Sequence, residues 1–170
     1  MIRVVALVTG VLAVLLCGGS AAASLAVGPA HPAGAGFLRP VDGARITQGF
    51  GCTGFSFEPV AAGCPGGHWH SGIDLAAAAG TPVCATQSGI VQVSLSASGF
   101  GLHVVIDHGG GLSSLYGHLS SVAVLSGEYV AAGQVVGAVG SSGNSTGPHL
   151  HFEIRRDGIP EDPRDDVGLP

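Results

Sequence analysis

The sequence predicts an all-β domain of antiparallel sheets with short loops and little helix, and three observations carry that expectation. Thirty glycines and ten prolines among 170 residues demand many tight turns. From Val41 onward the apolar residues come in short runs punctuated by glycine, which is strand patterning. No convincing amphipathic helix is present, and no repeat with a period of about 20–50 residues.

Taken in order, the strand candidates are Arg45–Phe50, Gly72–Ala76, Pro82–Ala85, Gly89–Leu95, His103–Asp107, Leu112–His118, Gln134–Val139 and Leu150–Arg155. Gly109-Gly110-Gly111 between two of them signals a hairpin, because glycine accepts positive φ without steric cost. The tail after Gly158 carries Pro160, Pro163 and Pro170 and reads as a closing loop. One domain is expected over residues 41–163, followed by a tail at 164–170. Hydrophobic residues at 46% against 10% charged make a packed core feasible.

The charge balance excludes one class of partner. All six basic residues are Arg, the formal net charge is −5, and five acids (Asp157, Glu161, Asp162, Asp165, Asp166) crowd the C-terminal end. No basic stripe exists to neutralise phosphates, so nucleic acid is not an expected partner.

The N-terminus reads as an export signal. Arg3 supplies the positive flank, Val4 to Leu16 is apolar, and Ala21-Ala22-Ala23 offers a small-residue cleavage pattern before Ser24. Residues 1–23 are therefore expected to be the signal, and 24–40, rich in Ala, Gly and Pro, a linker. The rival is an uncleaved anchor over residues 4–27, although a span needs about twenty predominantly apolar residues. A lipoprotein reading through Cys17 is weaker, because bulky Leu16 precedes it. Either way the domain faces outward, to the cell envelope or beyond it.

Export permits disulfides. Cys52 and Cys64 bracket a short loop and are expected to pair. Cys17 would leave with the signal, which makes Cys84 a single buried thiol.

Three segments carry chemistry. In His70-Ser-Gly-Ile-Asp74, period two places His70 and Asp74 on one strand face and Ile73 and Leu75 on the other. Alone, that pair is a weak signal. In Pro148–Ile154, Leu150, Phe152 and Ile154 define a core face, so His149, His151 and Glu153 project from the opposite one. Two imidazoles side by side repel when charged, and a bound metal is a good reason to place them there. The glycine-rich stretch Gly140–Gly147 lacks the Lys of a phosphate-binding loop and reads as a shaped turn delivering those histidines. The third piece is His118 in Tyr116-Gly-His118-Leu119, at a strand end.

Taken together these segments resemble a known family, the zinc metallopeptidases of the lysostaphin and LytM type, which cut peptide bonds in bacterial peptidoglycan. The resemblance runs from about Val41 to Pro163. It rests on His70-Ser-Gly-Ile-Asp74-Leu-Ala, Gly80-Thr-Pro-Val83, the Val104–His108 run, Ser114-Leu-Tyr-Gly-His118-Leu-Ser120 and Ser145-Thr-Gly-Pro-His149-Leu-His151-Phe-Glu153. It implies that His70, Asp74 and His151 ligate Zn²⁺ on the floor of a groove. It also implies that His149 and His118 flank the attacking water and the substrate carbonyl. Ala78 departs from the proline usual in such sequences, which concerns turn stiffness rather than chemistry.

The residue chemistry agrees. Two neutral imidazoles and one carboxylate leave a Zn²⁺ site with a net positive charge and an open tetrahedral position. No H-E-x-x-H helix supplies a Glu base, so a histidine must take the proton. His149, beside a ligand on the same face, is the natural base, and His118 suits the developing oxyanion or the leaving group. Their division of labour stays open at this level. His68 is a rival ligand, but the H-x₃-D pairing and the resemblance favour His70. His103 and His108 read as structural or exposed, His31 as a solvated linker residue, and Glu153 as either an orienting carboxylate or a solvated edge group.

The sequence thus predicts an exported zinc endopeptidase acting on peptidoglycan stems or cross-bridges. The alternative is a domain of the same fold that binds cell wall, or activates a separate hydrolase, without catalysis.

Overall fold

The computed structural model describes residues 36–167. The expected signal, Cys17, His31 and most of the expected linker lie outside the described residues. Among those described, no helix is long and apolar enough to cross a membrane.

The chain runs through β1 (Arg45–Gln48), β2 (Gly51–Thr53), β3 (His68–His70), β4 (Ile73–Ala76) and β5 (Pro82–Cys84). It continues through β6 (Gly89–Leu95), β7 (Leu102–Gly109), β8 (Leu112–Gly117), β9 (Ser121–Val122) and β10 (Tyr129–Val130). The last elements are β11 (Val135–Ala138), β12 (His149–Arg156), β13 (Ile159–Glu161) and a one-turn helix α1 (Arg164–Val167). The expected all-β antiparallel fold is present. One sheet in the order β1-β4-β12-β8-β7-β6-β10, with β13 beside β12, forms the main layer. A smaller sheet, β5-β11-β9, and the ribbon β2-β3 complete the structure.

Strand β12 is central, and its register positions the site. It pairs antiparallel with β4 (His151↔Asp74, Phe152↔Ile73) and with β8 (His151↔Gly117, Phe152↔Tyr116). Leu150, Phe152 and Ile154 are fully buried among Ile73, Leu75, Val104, Ile106 and Tyr116, as the period-two pattern requires. Truncating Phe152 to Ala would cost about 3–5 kcal/mol in such a core. The opposite face of β12 is covered too, so His151 and Glu153 are also buried.

The glycine hairpin is realised between β7 and β8, with Gly109, Gly110 and Gly111 at φ 85, 62 and 81°. Several expectations are revised. The strand expected over Arg45–Phe50 stops at Gln48, and the chain re-forms as β2 in a separate ribbon. The tail expected as a loop supplies β13 and α1, and Val167 joins the core. The end of the expected linker packs on the domain, where the Leu38 N–H donates to the Thr86 carbonyl at 2.9 Å and the Phe37 ring meets His108 edge-on.

Cys52 and Cys64 form the expected disulfide. Cys84 corrects the reading of a leftover thiol. It is buried but disulfide-bonded, with its partner outside the described residues, and among the described residues no cysteine is free.

Candidate metal centre

His70 and Asp74 come together because the strand carrying them is broken. Four residues of continuous strand would span about 13 Å, too far for one ion to bridge. Instead β3 ends at His70, Ser71 and Gly72 bend the chain, and β4 starts at Ile73. Gly72 permits this bend, because a Cβ there would lie 2.3 Å from the Phe152 carbonyl oxygen on β12. The single-strand reading of these two residues is therefore corrected, while their convergence stands.

Three donor atoms form a tight triangle. His70 Nε2 lies 2.9 Å from His151 Nδ1, and each lies 3.2 Å from Asp74 Oδ1. A tetrahedral zinc site with bonds near 2.0–2.1 Å requires ligand–ligand separations of about 3.3 Å. The donor set and its dimensions fit a metal ion, and His70, Asp74 and His151 are the residues that could hold one.

Hydrogen bonding fixes which nitrogens face inward. The His70 Nδ1–H donates to the Gly49 carbonyl at 2.9 Å, leaving Nε2 as a lone-pair donor. The His151 Nε2–H donates to Glu153 Oε1 at 2.9 Å, leaving Nδ1. Two imidazole lone pairs and a carboxylate oxygen thus converge on one point, which suits a cation. A proton satisfies the same geometry. Burial opposes the His151 imidazolium, but hydrogen bonds to Asp74 and Glu153 outweigh it and raise its pKa to about 9. Burial likewise works against the Asp74 carboxylate, yet His151 and His70 hold its pKa well below the usual range.

Glu153 is 0% exposed, so the solvated-edge reading fails. Its carboxylate also accepts from the Ser71 hydroxyl and the Arg155 guanidinium. Burial disfavours the charge, but these partners, His151 first, keep its pKa low. The carboxylate fixes the His151 tautomer and ring orientation.

His118 and His149 are anchored in the same manner by the Gly140–Gly147 turn. The His118 Nδ1–H donates to the Ser142 carbonyl at 2.7 Å, and the His149 Nδ1–H to the Gly147 carbonyl at 2.8 Å. Both Nε2 atoms are therefore lone-pair acceptors when the rings are neutral. The rings lie 4.7 Å apart between centroids, and His149 Nε2 is 3.7 Å from Asp74 Oδ1. His118 takes φ 60°, an unusual conformation for a non-glycine residue, held where its N–H donates to the Phe100 carbonyl. Burial, together with the charges of His149 and His151, pushes the His118 pKa down to about 4 despite the Ser142 contact and the Asp74 carboxylate.

The remaining histidines stay outside the triangle. His68 is 2.7 Å from the Glu58 carbonyl through Nδ1, and His103 bonds the Gly101 carbonyl. His108 is tied into a buried polar network, described below. One acid was not foreseen. Glu58, inside the Cys52–Cys64 loop, brings Oε1 to 3.9 Å from His70 Nε2. No periodicity or spacing flags it, because the disulfide loop folds back on the ribbon.

An antiparallel β-fold with a His-Asp-His centre and two further histidines defines a metallopeptidase-type domain, and the comparisons name its family. Residues 68–163 match peptidase family M23, and the chain belongs to that family. It is 47% identical over 94 residues to DD-carboxypeptidase/endopeptidase Mpg of Neisseria meningitidis serogroup B, covering 55% of this chain and 22% of that protein. To lysostaphin of Staphylococcus simulans it is 43% identical over 102 residues, covering 59% and 20%. The murein hydrolase activator EnvC of Escherichia coli is 43% identical over 97 residues, covering 57% and 23%. The solved catalytic domain of the prophage-encoded M23 protein EnpA from Enterococcus faecalis superposes with a TM-score of 0.63 at 38% identity, covering 76% of this chain and 96% of that one. The chain spans only about a fifth of the length of these curated relatives.

Proposed function

We propose that this protein is an exported zinc endopeptidase that hydrolyses peptide bonds in the stems or cross-bridges of bacterial peptidoglycan. The observation that carries the reading is the triangle of His70 Nε2, Asp74 Oδ1 and His151 Nδ1, flanked by two histidines with inward-facing lone pairs. Relatives named as peptidoglycan DD-endopeptidases supply the substrate class. Residues 1–23 serve as the signal or anchor, 24–40 as a linker whose end packs on the domain, 41–163 as the catalytic domain, and 164–170 as a tail that adds Val167 to its core.

His70, Asp74 and His151 would hold Zn²⁺, which when bound would supply Lewis-acid polarisation and lower the pKa of water towards neutrality. Every other role falls to the chain. His149, whose Nε2 faces Asp74, accepts the proton from the attacking water. His118, kept neutral by burial, receives a hydrogen bond or relays a proton toward the leaving amine through its own Nε2. Glu153 holds the His151 ring, and the Gly140–Gly147 turn holds the other two. An extended peptide would lie across the candidate site by strand-like pairing.

The test combines metal analysis, digestion of purified peptidoglycan and mass spectrometry of the fragments. His149→Ala is expected to keep zinc and lose hydrolysis, and Asp74→Ala to lose both. Full activity in either variant would sink the assignment. The second reading, a non-catalytic hydrolase activator, draws on the relative named as an activator. Cell-wall binding without new amine ends would favour it.

A further inference from the structure

The Cys52–Cys64 loop reaches the metal centre through Glu58. Its Oε1 lies 3.9 Å from His70 Nε2, the same nitrogen that Asp74 and His151 approach. Glu58 is not a fourth ligand in this arrangement. The donors within 4.8 Å of one another are those of His70, Asp74 and His151, and a tetrahedral partner would stand about 3.3 Å from each.

The carboxylate is held there by an organised set of contacts. Gln48 Nε2 donates to Oε1 at 3.2 Å, and Gln48 is itself paired with Asp74 across β1 and β4. The Glu58 carbonyl lies 2.7 Å from His68 Nδ1, and the Glu58 N–H donates to Phe55. The next residues are tied down as well, since the Trp69 N–H donates to the Pro59 carbonyl and Val60 bridges to His68. The disulfide closes the loop behind them, with Cα atoms 5.2 Å apart. An acid in a solvated loop does not need this scaffolding. The Glu58 side chain is only 20% exposed.

We propose that Glu58 is a metal-positioning residue, an outer carboxylate through which the Cys52–Cys64 loop strengthens divalent-cation binding at His70, Asp74 and His151. The inference rests on the reading of those three residues as ligands. Two neutral imidazoles and Asp74 leave a divalent ion with a net positive charge; the Glu153 carboxylate is already paired with Arg155, and Glu58 supplies a further negative charge. Charges and hydrogen-bonding groups just outside a ligand set typically change metal affinity about 10- to 100-fold. Because the disulfide holds the loop, metal retention is coupled to its oxidation.

The test is zinc affinity, measured on the full chain by competition with a chelating dye, for the wild type, Glu58→Gln, Asp74→Ala, and Cys52→Ser with Cys64→Ser. Glu58→Gln is expected to weaken zinc binding about 10- to 100-fold without moving the melting temperature of the metal-free protein. The paired Ser variant should weaken it as well, and adding Glu58→Gln to that variant should weaken it little further, because both act through one carboxylate. A Glu58→Gln affinity within about twofold of wild type, with binding abolished by Asp74→Ala, overturns this inference and leaves the ligand reading intact. Unaltered binding in Asp74→Ala overturns both.

Discussion

Two groups of histidines in this protein do opposite things with the same ring. In the candidate metal centre, His70, His118, His149 and His151 each spend one nitrogen on a fixed acceptor and present the other to a shared space. In the second group, His108 has both nitrogens engaged. Its Nδ1 is 2.9 Å from the Ser88 carbonyl, and its Nε2 is 2.8 Å from the Ser114 hydroxyl. The Ser114 hydroxyl also lies 2.9 Å from the Tyr116 hydroxyl, which contacts Thr86 as well. Burial lowers the His108 pKa and raises that of Tyr116, so both remain neutral cross-links. A buried histidine is chemically available only where its second nitrogen has no partner of its own.

The comparison can be broken in several ways, the largest effect first. His149→Ala is expected to lower hydrolysis about 100- to 10,000-fold with zinc content unchanged, measured by fragment release and metal analysis. A smaller loss is expected from Glu153→Gln, which leaves His151 in place but removes its charged anchor. Zinc affinity should fall about 10- to 100-fold, read by chelator competition. On the other side of the comparison, Ser114→Ala strips a partner from both His108 and Tyr116. It should cost about 1–3 kcal/mol in denaturant unfolding while leaving hydrolysis unchanged. Loss of activity without loss of stability there would erase the distinction between the two groups.

The smallest effect is one of pH. His118 has a folded-state pKa of about 4 against 6.5 when unfolded. The unfolded chain therefore binds the extra proton between those values, and stability rises with pH across that window. The contribution of His118 is complete above about pH 6.5 and is lost as pH falls through 4. His118→Asn suits this test because Asn tolerates the positive φ at that position. For metal-free protein, wild type should lose more melting temperature than the variant between pH 7 and 4.5. Parallel losses would show that the ring is not held neutral.

Much of the core was legible because β12 alternates so regularly. Leu150, Phe152 and Ile154 had to face one way, and they do. The same alternation grouped His149, His151 and Glu153, but it could not say that Glu153 is sealed from water. That depends on β4 and β8 flanking β12, with Ser71 and Arg155 reaching the carboxylate. His70 and Asp74 show the opposite failure. Strand periodicity placed them on one face of a continuous strand, where they would stand too far apart. The bend at Gly72 was invisible because it answers to the Phe152 carbonyl, 80 residues away in sequence.

The candidate metal centre had its residue types determined by sequence alone: two imidazoles and a carboxylate, with two further histidines at hand. These side chains can hold a cation and move a proton wherever they are placed. Tertiary structure decided which nitrogen of each ring is free, because the carbonyls of Gly49, Ser142 and Gly147 and the Glu153 carboxylate occupy the others. It also decided that a loop acid, Glu58, stands beside His70. Hydrogen-bond acceptors and nearby charges act over a few ångströms of space, and chain separation carries no record of that distance.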